Sequence, residues 1–120
     1  MNHTTINDLA KVDQDVLNQM KFIQKKFDDL KLPPYMWEGV ERYVRDGTKC
    51  GHFLTAIFSN QFLSVFAHAD ADNLANIRNW ARFLNNYIPI GAIGSERAFE
   101  RWNEGGGLVG NYTRQSKNST

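Results

Sequence analysis

The sequence predicts an all-α fold, in which one long N-terminal amphipathic helix accompanies a compact bundle of about four or five shorter helices. Apolar residues recur at intervals of three or four along most of the chain, which is the spacing of one helix face. Prolines and glycines divide this pattern into segments, and no two segments alternate as paired strands do. With 120 residues, 42% of them hydrophobic, the chain is long enough for one hydrophobic core.

The first predicted helix runs from Ile6 to Leu30. Its apolar stripe consists of Leu9, Val12, Val16, Met20, Ile23, Phe27 and Leu30. Pro33 and Pro34 follow and stop the helix, because proline cannot continue the backbone hydrogen bonding. A stripe of this length must be covered, and its near-heptad spacing leaves two interpretations open. The helix packs on its own domain, or it pairs with a second copy of the chain in a homodimer.

Three further helical segments are predicted before residue 70. Tyr35 to Asp46 repeats the helical spacing, and Gly47 stands where a helix C-cap favours glycine. Two short apolar segments come next and are separated by Ser59 and Asn60. The first contains Phe53, Leu54, Ile57 and Phe58, and the second contains Phe62, Leu63, Val65 and Phe66. Their density of large side chains predicts the centre of the core.

Capping residues mark the last two predicted helices. Asp70 can cap a helix whose periodic apolar residues extend from Leu74 to Tyr87, and Ser95 can cap a short final helix. The glycine run at 105–107 ends that helix. The predicted organisation is therefore a long helix at 1–31, which is also a dimerisation element if it pairs, a compact helical domain at 32–104, and a flexible, Gly-rich and polar tail at 105–120.

The only cysteine, Cys50, lies two residues before His52 and is the most obvious candidate for chemistry. A zinc site needs three or four ligands, and His68 would have to reach this pair from a different helix. A cysteine nucleophile would need a base and an orienting group as well. We interpret the stretch as a turn that enters a core helix. The sequence predicts no catalytic residue, no metal ligand and no cofactor, and leaves open whether Cys50, His52 and His68 meet.

Two other patterns resemble binding motifs and fail on inspection. Asp70 and Asp72 begin like a calcium loop, but the later glycine and glutamate are missing, so helix capping explains them better. The glycine pattern at 105–110 matches the dinucleotide fingerprint. That fingerprint requires a preceding strand and a following helix, and neither is predicted here.

The charges are nearly balanced, with 14 Lys and Arg against 13 Asp and Glu. This balance does not indicate a dominant attraction to nucleic acid or to an anionic membrane. No apolar run has the length of a signal peptide or membrane span, and a single cysteine cannot form an internal disulfide. The sequence therefore predicts a cytoplasmic protein that has no membrane partner, and its balanced charge does not favour nucleic acid as a partner.

Three pairs of arginines lie on single helical faces and are the candidate partner-binding residues. They are Arg42 with Arg45, Arg78 with Arg82, and Arg97 with Arg101. If two pairs converged, they could hold a phosphate or an acidic partner. The alternative is that they are solvated surface residues, because glutamates are interleaved with them.

Four stretches of the chain carry a resemblance to known proteins: GVERYVRDG, GHFLTAIFSNQF, AHADADN and PIGAIGSERAFERW. With them, the region from about Pro34 to Trp102 resembles a family of small uncharacterised helical proteins encoded by tailed bacteriophages and prophages. The sequence departs from the family pattern at Thr48, Lys49 and Cys50, where a proline-containing turn is usual. Its long N-terminal helix is an extension.

The resemblance implies a phage-encoded accessory protein in the bacterial host cytoplasm. Because no catalytic constellation is legible, we expect it to be no enzyme and to act by binding a host protein. Such binding would inhibit a defence system, as an anti-CRISPR protein does, or redirect a host enzyme. Two alternatives remain. One is a nucleic-acid-binding regulator that uses the arginine pairs, and the other is a small ligand-sequestering protein or enzyme with a pocket between helices.

Overall fold

The computed structural model describes the backbone of residues 6–118 and the side chains of residues 10–115. Within these residues the chain forms helices α1 Ile6–Asp29, α2 Trp37–Asp46, α3 His52–Phe58, α4 Phe62–His68, α5 Ala71–Ala75, α6 Ile77–Tyr87, α7 Glu96–Gly105 and α8 Gly107–Asn118. Short 3₁₀ turns precede α2 and α7. No strand occurs in this part of the chain, so the all-α class and the long N-terminal helix are confirmed.

Helix α1 is covered by its own chain. Its stripe residues Val12, Val16, Met20, Ile23 and Phe27 are buried, whereas the side chain of Leu9 lies outside the described residues. The helix packs on α2, α6 and α8. Packing of α1 on its own domain therefore accounts for the burial of the stripe. A homodimer through α1 stays a prediction.

The side chain of Tyr43 organises one half of the core. Its ring stacks on Phe58 at 4.3 Å and on Phe99 at 4.9 Å between ring centroids. Its hydroxyl donates a hydrogen bond to the carbonyl of Ala92, at 2.6 Å. The indole N–H of Trp102 in turn donates to the carbonyl of Tyr43. These bonds satisfy buried polar groups and fasten α2 to α7 and to the 3₁₀ turn before it.

Aromatic rings from α1 and α6 form the other half of the core. Phe27 contacts the rings of Trp80 and Phe83, with centroids 5.9 and 5.6 Å apart. The indole N–H of Trp80 donates to the side-chain oxygen of Asn73, which is itself buried. Trp80 and Trp102 are thus both buried and hydrogen-bonded within the core.

The predicted caps are confirmed, and they explain several helix ends. The side chains of Asp70 and Ser95 accept hydrogen bonds from the backbone N–H groups of Asn73 and Ala98. Gly47 ends α2 in the left-handed conformation, with φ of 74°. A difference appears at Asn76, where the single helix predicted after Asp70 is divided into α5 and α6.

The largest difference from the sequence prediction lies after Gly105. Where we expected a flexible polar tail, residues Gly107–Asn118 form α8, which packs on α1 and α2. Gly106 and Gly107 adopt φ of 78° and 66°, and this turns the chain sharply from α7 into α8. Leu108 is buried beyond the turn. The glycines are thus a tight corner between two packed helices.

None of the described helices combines the length and the apolar character that a membrane crossing requires.

Candidate functional site

Cys50 lies in a turn, beside the hydroxyl of Thr55. Its sulfur lies 3.7 Å from the hydroxyl oxygen of Thr55, and that hydroxyl donates to the carbonyl of Cys50 at 3.0 Å. Burial raises the pKa of the Cys50 thiol to about 11. A thiol with this pKa is protonated at neutral pH, so the surroundings of Cys50 do not activate it as a nucleophile.

His68 does reach His52 from a different helix. The two rings stack with centroids 5.0 Å apart, and they join the start of α3 to the end of α4. The Nδ1 atom of His68 lies 3.0 Å from the carbonyl oxygen of Ser64 and 3.2 Å from its hydroxyl oxygen, so the His68 ring is held against its own helix. No group of three or more potential metal ligands of the His, Cys, Asp and Glu types occurs among the described residues. We therefore assign the stacked pair to the contact between the two helices.

The acidic stretch around Asp70 is a cap with one additional partner. The hydroxyl of Tyr35 donates to the Asp70 carboxylate across 35 positions of the sequence. This bond lowers the pKa of Asp70 and raises the pKa of Tyr35 to about 12. The capping explanation of Asp70 is thus confirmed, and the Tyr35 contact is a feature that local spacing could not reveal.

The six candidate arginines occupy three different settings. Arg42 pairs with Glu38, while Arg45 pairs with Glu41 and Asp46 on the same helix. Arg78, Arg82 and Arg97 are exposed. Arg101 lines a cleft between α7 and α8 together with Arg114, a residue that the sequence analysis did not single out because α8 was not expected. Whether any of the six binds a partner stays a prediction.

Helix α4 presents an apolar face that the sequence analysis assigned to the core. Of its large side chains only Val65 is buried, whereas Phe62, Leu63 and Phe66 are 71%, 81% and 46% exposed. We call these three residues the α4 face. The rings of Phe62 and Phe66 contact each other, with centroids 5.0 Å apart, so the face is continuous across one helical turn.

The expectation of a core role for these three residues is wrong for a geometric reason. Helices α3 and α4 are joined by a tight turn at Asn60, whose φ is 58°. Helix α4 then spans only two turns, and it buries one side against α3. No helix of the described part of the chain covers the apolar residues on its other side. Composition could not show this, because buried and exposed apolar residues are the same residue types.

The stretch of chain that contains α3 and α4 lacks the four charged residue types. Residues 50–69 contain no Lys, Arg, Asp or Glu, although such residues make up 22% of the chain. The α4 face is therefore an apolar surface on a pair of helices that themselves contain no Lys, Arg, Asp or Glu. Large exposed apolar clusters are uncommon on soluble proteins and mark interaction sites.

No protein-family model, curated protein or solved structure matches the chain, so the comparisons identify no enzyme family and no homologue.

Proposed function

We propose that this protein acts by binding another protein through the α4 face. The observation that carries the proposal is the exposure of Phe62, Leu63 and Phe66 side by side on a helix that buries only Val65. Burying such side chains in a partner removes apolar area from water, at about 25 cal/mol per Å². Aromatic residues in the centre of an interface supply much of the binding energy.

The lack of charged residues in α3 and α4 indicates what kind of surface the partner should have. Interface cores are poor in charged residues, and their rims are polar. Residues 50–69 match the core composition, and Gln61, Ser64 and His68 provide polar groups beside the face. We therefore expect the partner to present an uncharged apolar groove or helix face rather than a strongly charged surface.

A membrane surface and a nucleic acid fit this face less well. Helices that lie on membranes carry Lys and Arg on their polar side, and α4 has neither. Nucleic-acid binding depends on cations that face phosphates. Arg42 and Arg45 are instead paired with acidic neighbours on α2.

For the biological setting, we propose a phage-encoded accessory protein in the bacterial host cytoplasm. In that setting the partner is a host protein, and binding inhibits a defence system such as CRISPR or redirects a host enzyme without catalysis by this chain. The support is the resemblance of residues 34–102 to phage-encoded proteins, together with the apolar face. The experiment that identifies the partner would also indicate which host process is affected.

Affinity capture from bacterial host cells, followed by mass spectrometry, tests the proposal. The wild-type chain is compared with a variant that carries Phe62→Ser and Leu63→Ser. We expect one or more host proteins to be enriched by the wild type, and a loss of at least about tenfold with the variant, because truncation of a central apolar residue costs about 2 kcal/mol or more.

A matched control carries Leu17→Ser and Phe22→Ser, which remove one exposed leucine and one exposed phenylalanine from α1. It should capture the same proteins as the wild type. Equal capture by the α4 variant would contradict the proposal. A wild-type chain that enriches only a second copy of itself would contradict it as well, because the face would then be a homodimer interface.

A further inference from the structure

A groove runs beside α7 and α8, on a surface formed by different residues from those of the α4 face. Two adjoining clefts, of about 530 and 340 Å³, share the lining residues Ile90, Gly91, Trp102 and Asn111. We call the combined feature the α8 groove. Its combined size is in the range of sites that hold a ligand or a short peptide segment.

The floor of the α8 groove is apolar. Trp102 and Leu108 line it and are buried, and Ile90 lines it as a residue that is 91% exposed. The indole N–H of Trp102 is already bonded to the carbonyl of Tyr43, so Trp102 offers only its ring to a ligand. An apolar side chain placed here would cover Ile90 and contact the indole ring.

One end of the α8 groove is positively charged. Arg101 and Arg114 both line it, and among the described residues no Asp or Glu lines either cleft. Arg114 donates to the carbonyl of Gly105 at 2.7 Å and to the side-chain oxygen of Asn111, which fixes the position of its guanidinium group. Arg101 has no ion pair with an acid of the described chain. Two cations without a neutralising acid favour a carboxylate ligand.

Polar groups along the groove suit a peptide backbone. Tyr112 donates to the side-chain oxygen of Gln19, and this leaves the Gln19 amide N–H groups to donate elsewhere. Asn111 lies between the charged end and the apolar floor. An extended peptide presents carbonyl acceptors at regular intervals, next to alternating side chains.

We propose that the α8 groove binds an acidic peptide segment of a protein partner. An Asp or Glu carboxylate lies between Arg101 and Arg114, and a neighbouring apolar side chain covers Ile90 and Trp102. This site is separate from the α4 face, so either can be correct without the other.

Selection from a display library of random peptides tests this inference on the full chain. Wild-type protein should enrich peptides in which Asp or Glu is close to a large apolar residue. An Arg101→Glu variant should not enrich them. The matched control is Arg97→Glu, which makes the same charge change four residues earlier on α7, outside the lining of either cleft.

Fluorescence anisotropy with the most enriched peptide gives the size of the effect. We expect Arg101→Glu to weaken binding at least tenfold and Arg97→Glu to weaken it less than twofold. The variant Phe62→Ser with Leu63→Ser should bind the peptide as the wild type does, which separates this site from the α4 face. Enrichment of peptides without acidic residues, or equal losses for both arginine variants, would overturn the inference. So would competition by free 3-phenylpropionate as effective as that of the peptide itself, because the ligand would then be a small organic acid.

Discussion

The reactivity of the Cys50 thiol depends on its burial in the fold rather than on the closeness of His52 in the sequence. Cys50 and His52 are close in sequence, but the histidine stacks on His68 while the sulfur faces Thr55. Burial disfavours the charged thiolate, and this raises the pKa of the thiol from its ordinary value of 9.0 to about 11.

Alkylation by iodoacetamide should therefore be slow in the folded protein. A pKa about two units above the ordinary value reduces the thiolate fraction at pH 8 roughly hundredfold. The rate should rise about tenfold for each pH unit and level off only above about pH 11, and denatured protein at pH 8 should react at the rate of a free thiol. The pKa of the Cys50 thiol is higher in the folded protein than in the unfolded chain. The neutral thiol therefore contributes its full stabilisation below pH 9, and this stabilisation is lost as the pH rises toward 11. Rapid alkylation of the folded protein at pH 8 would contradict the assignment.

The bond between Tyr35 and Asp70 is a second residue-level feature with a measurable consequence. Replacing Tyr35 by Phe removes the hydroxyl donor, so the pKa of Asp70 should rise toward its ordinary value. A carboxyl ¹³C titration by NMR measures the shift. The pKa of Asp70 is lowered in the folded state, so the ionised carboxylate stabilises the fold, and this stabilisation is lost as the pH falls. The stability of the Tyr35→Phe variant should therefore depend less on pH in the acidic range than the stability of the wild type. Tyr112→Phe, which removes a hydroxyl at another site, should leave the Asp70 pKa unchanged.

At the scale of the elements, local chemistry in the sequence predicts helix ends better than it predicts helix faces. Asp70, Ser95 and Gly47 act as caps because short side-chain acceptors and glycine satisfy backbone requirements within a few residues. The α4 face could not be predicted in this way. Its exposure depends on which element lies opposite α4, and that information is not contained in the seven residues of the helix.

Helix α8 was missed because its glycines weaken the helical signal. In the structure, the backbones of Gly47 and Gly107 lie against each other. A Cβ atom on Gly107 would stand 2.5 Å from the backbone nitrogen of Gly47 and 2.7 Å from the carbonyl of Arg45. Glycine is therefore required where α8 begins. The glycines that led us to expect a flexible tail instead allow the backbones of α2 and α8 to approach closely.

Substitution of Gly107 by Ala should destabilise the protein by more than about 2 kcal/mol, because a side chain is unfavourable at φ of 66° and also collides with backbone atoms. Urea unfolding followed by circular dichroism measures the change. Gly91→Ala is the matched control, since its Cβ would make an ordinary contact with the Trp102 ring at 3.6 Å. A loss as large for Gly91→Ala as for Gly107→Ala would show that the corner is not specially constrained.

At the scale of the whole molecule, α1 is part of the single core rather than an appendage. Its stripe was predicted correctly from spacing, but spacing alone could not decide between its own domain and a second copy. The contacts of Phe27 with Trp80 and Phe83 explain how its own chain covers the stripe. A homodimer would have to use the exposed side of α1, where Leu17 and Phe22 lie.

Truncation of Phe27 to Ala should therefore cost about 3 to 5 kcal/mol of unfolding free energy, as for other large buried aromatics. Phe22→Ala makes the same change on the same helix at a half-exposed position. It should cost less than about 1 kcal/mol. Chemical denaturation of both variants measures the two values. Similar costs would mean that α1 is not integrated into the core.

The proposal that α4 binds a protein partner concerns the whole molecule, because it assigns the α3–α4 pair to recognition and the other described helices to the support of that pair. Photo-crosslinking in bacterial host cells tests it most directly, with a benzophenone amino acid placed at position 63 or, as the control, at position 17. The account predicts a covalent adduct with a host protein from position 63 and no adduct with a host protein from position 17. It would be contradicted by an absence of host-protein adducts from position 63, by equal host-protein adducts from both positions, or by adducts from position 63 that form only with a second copy of this chain.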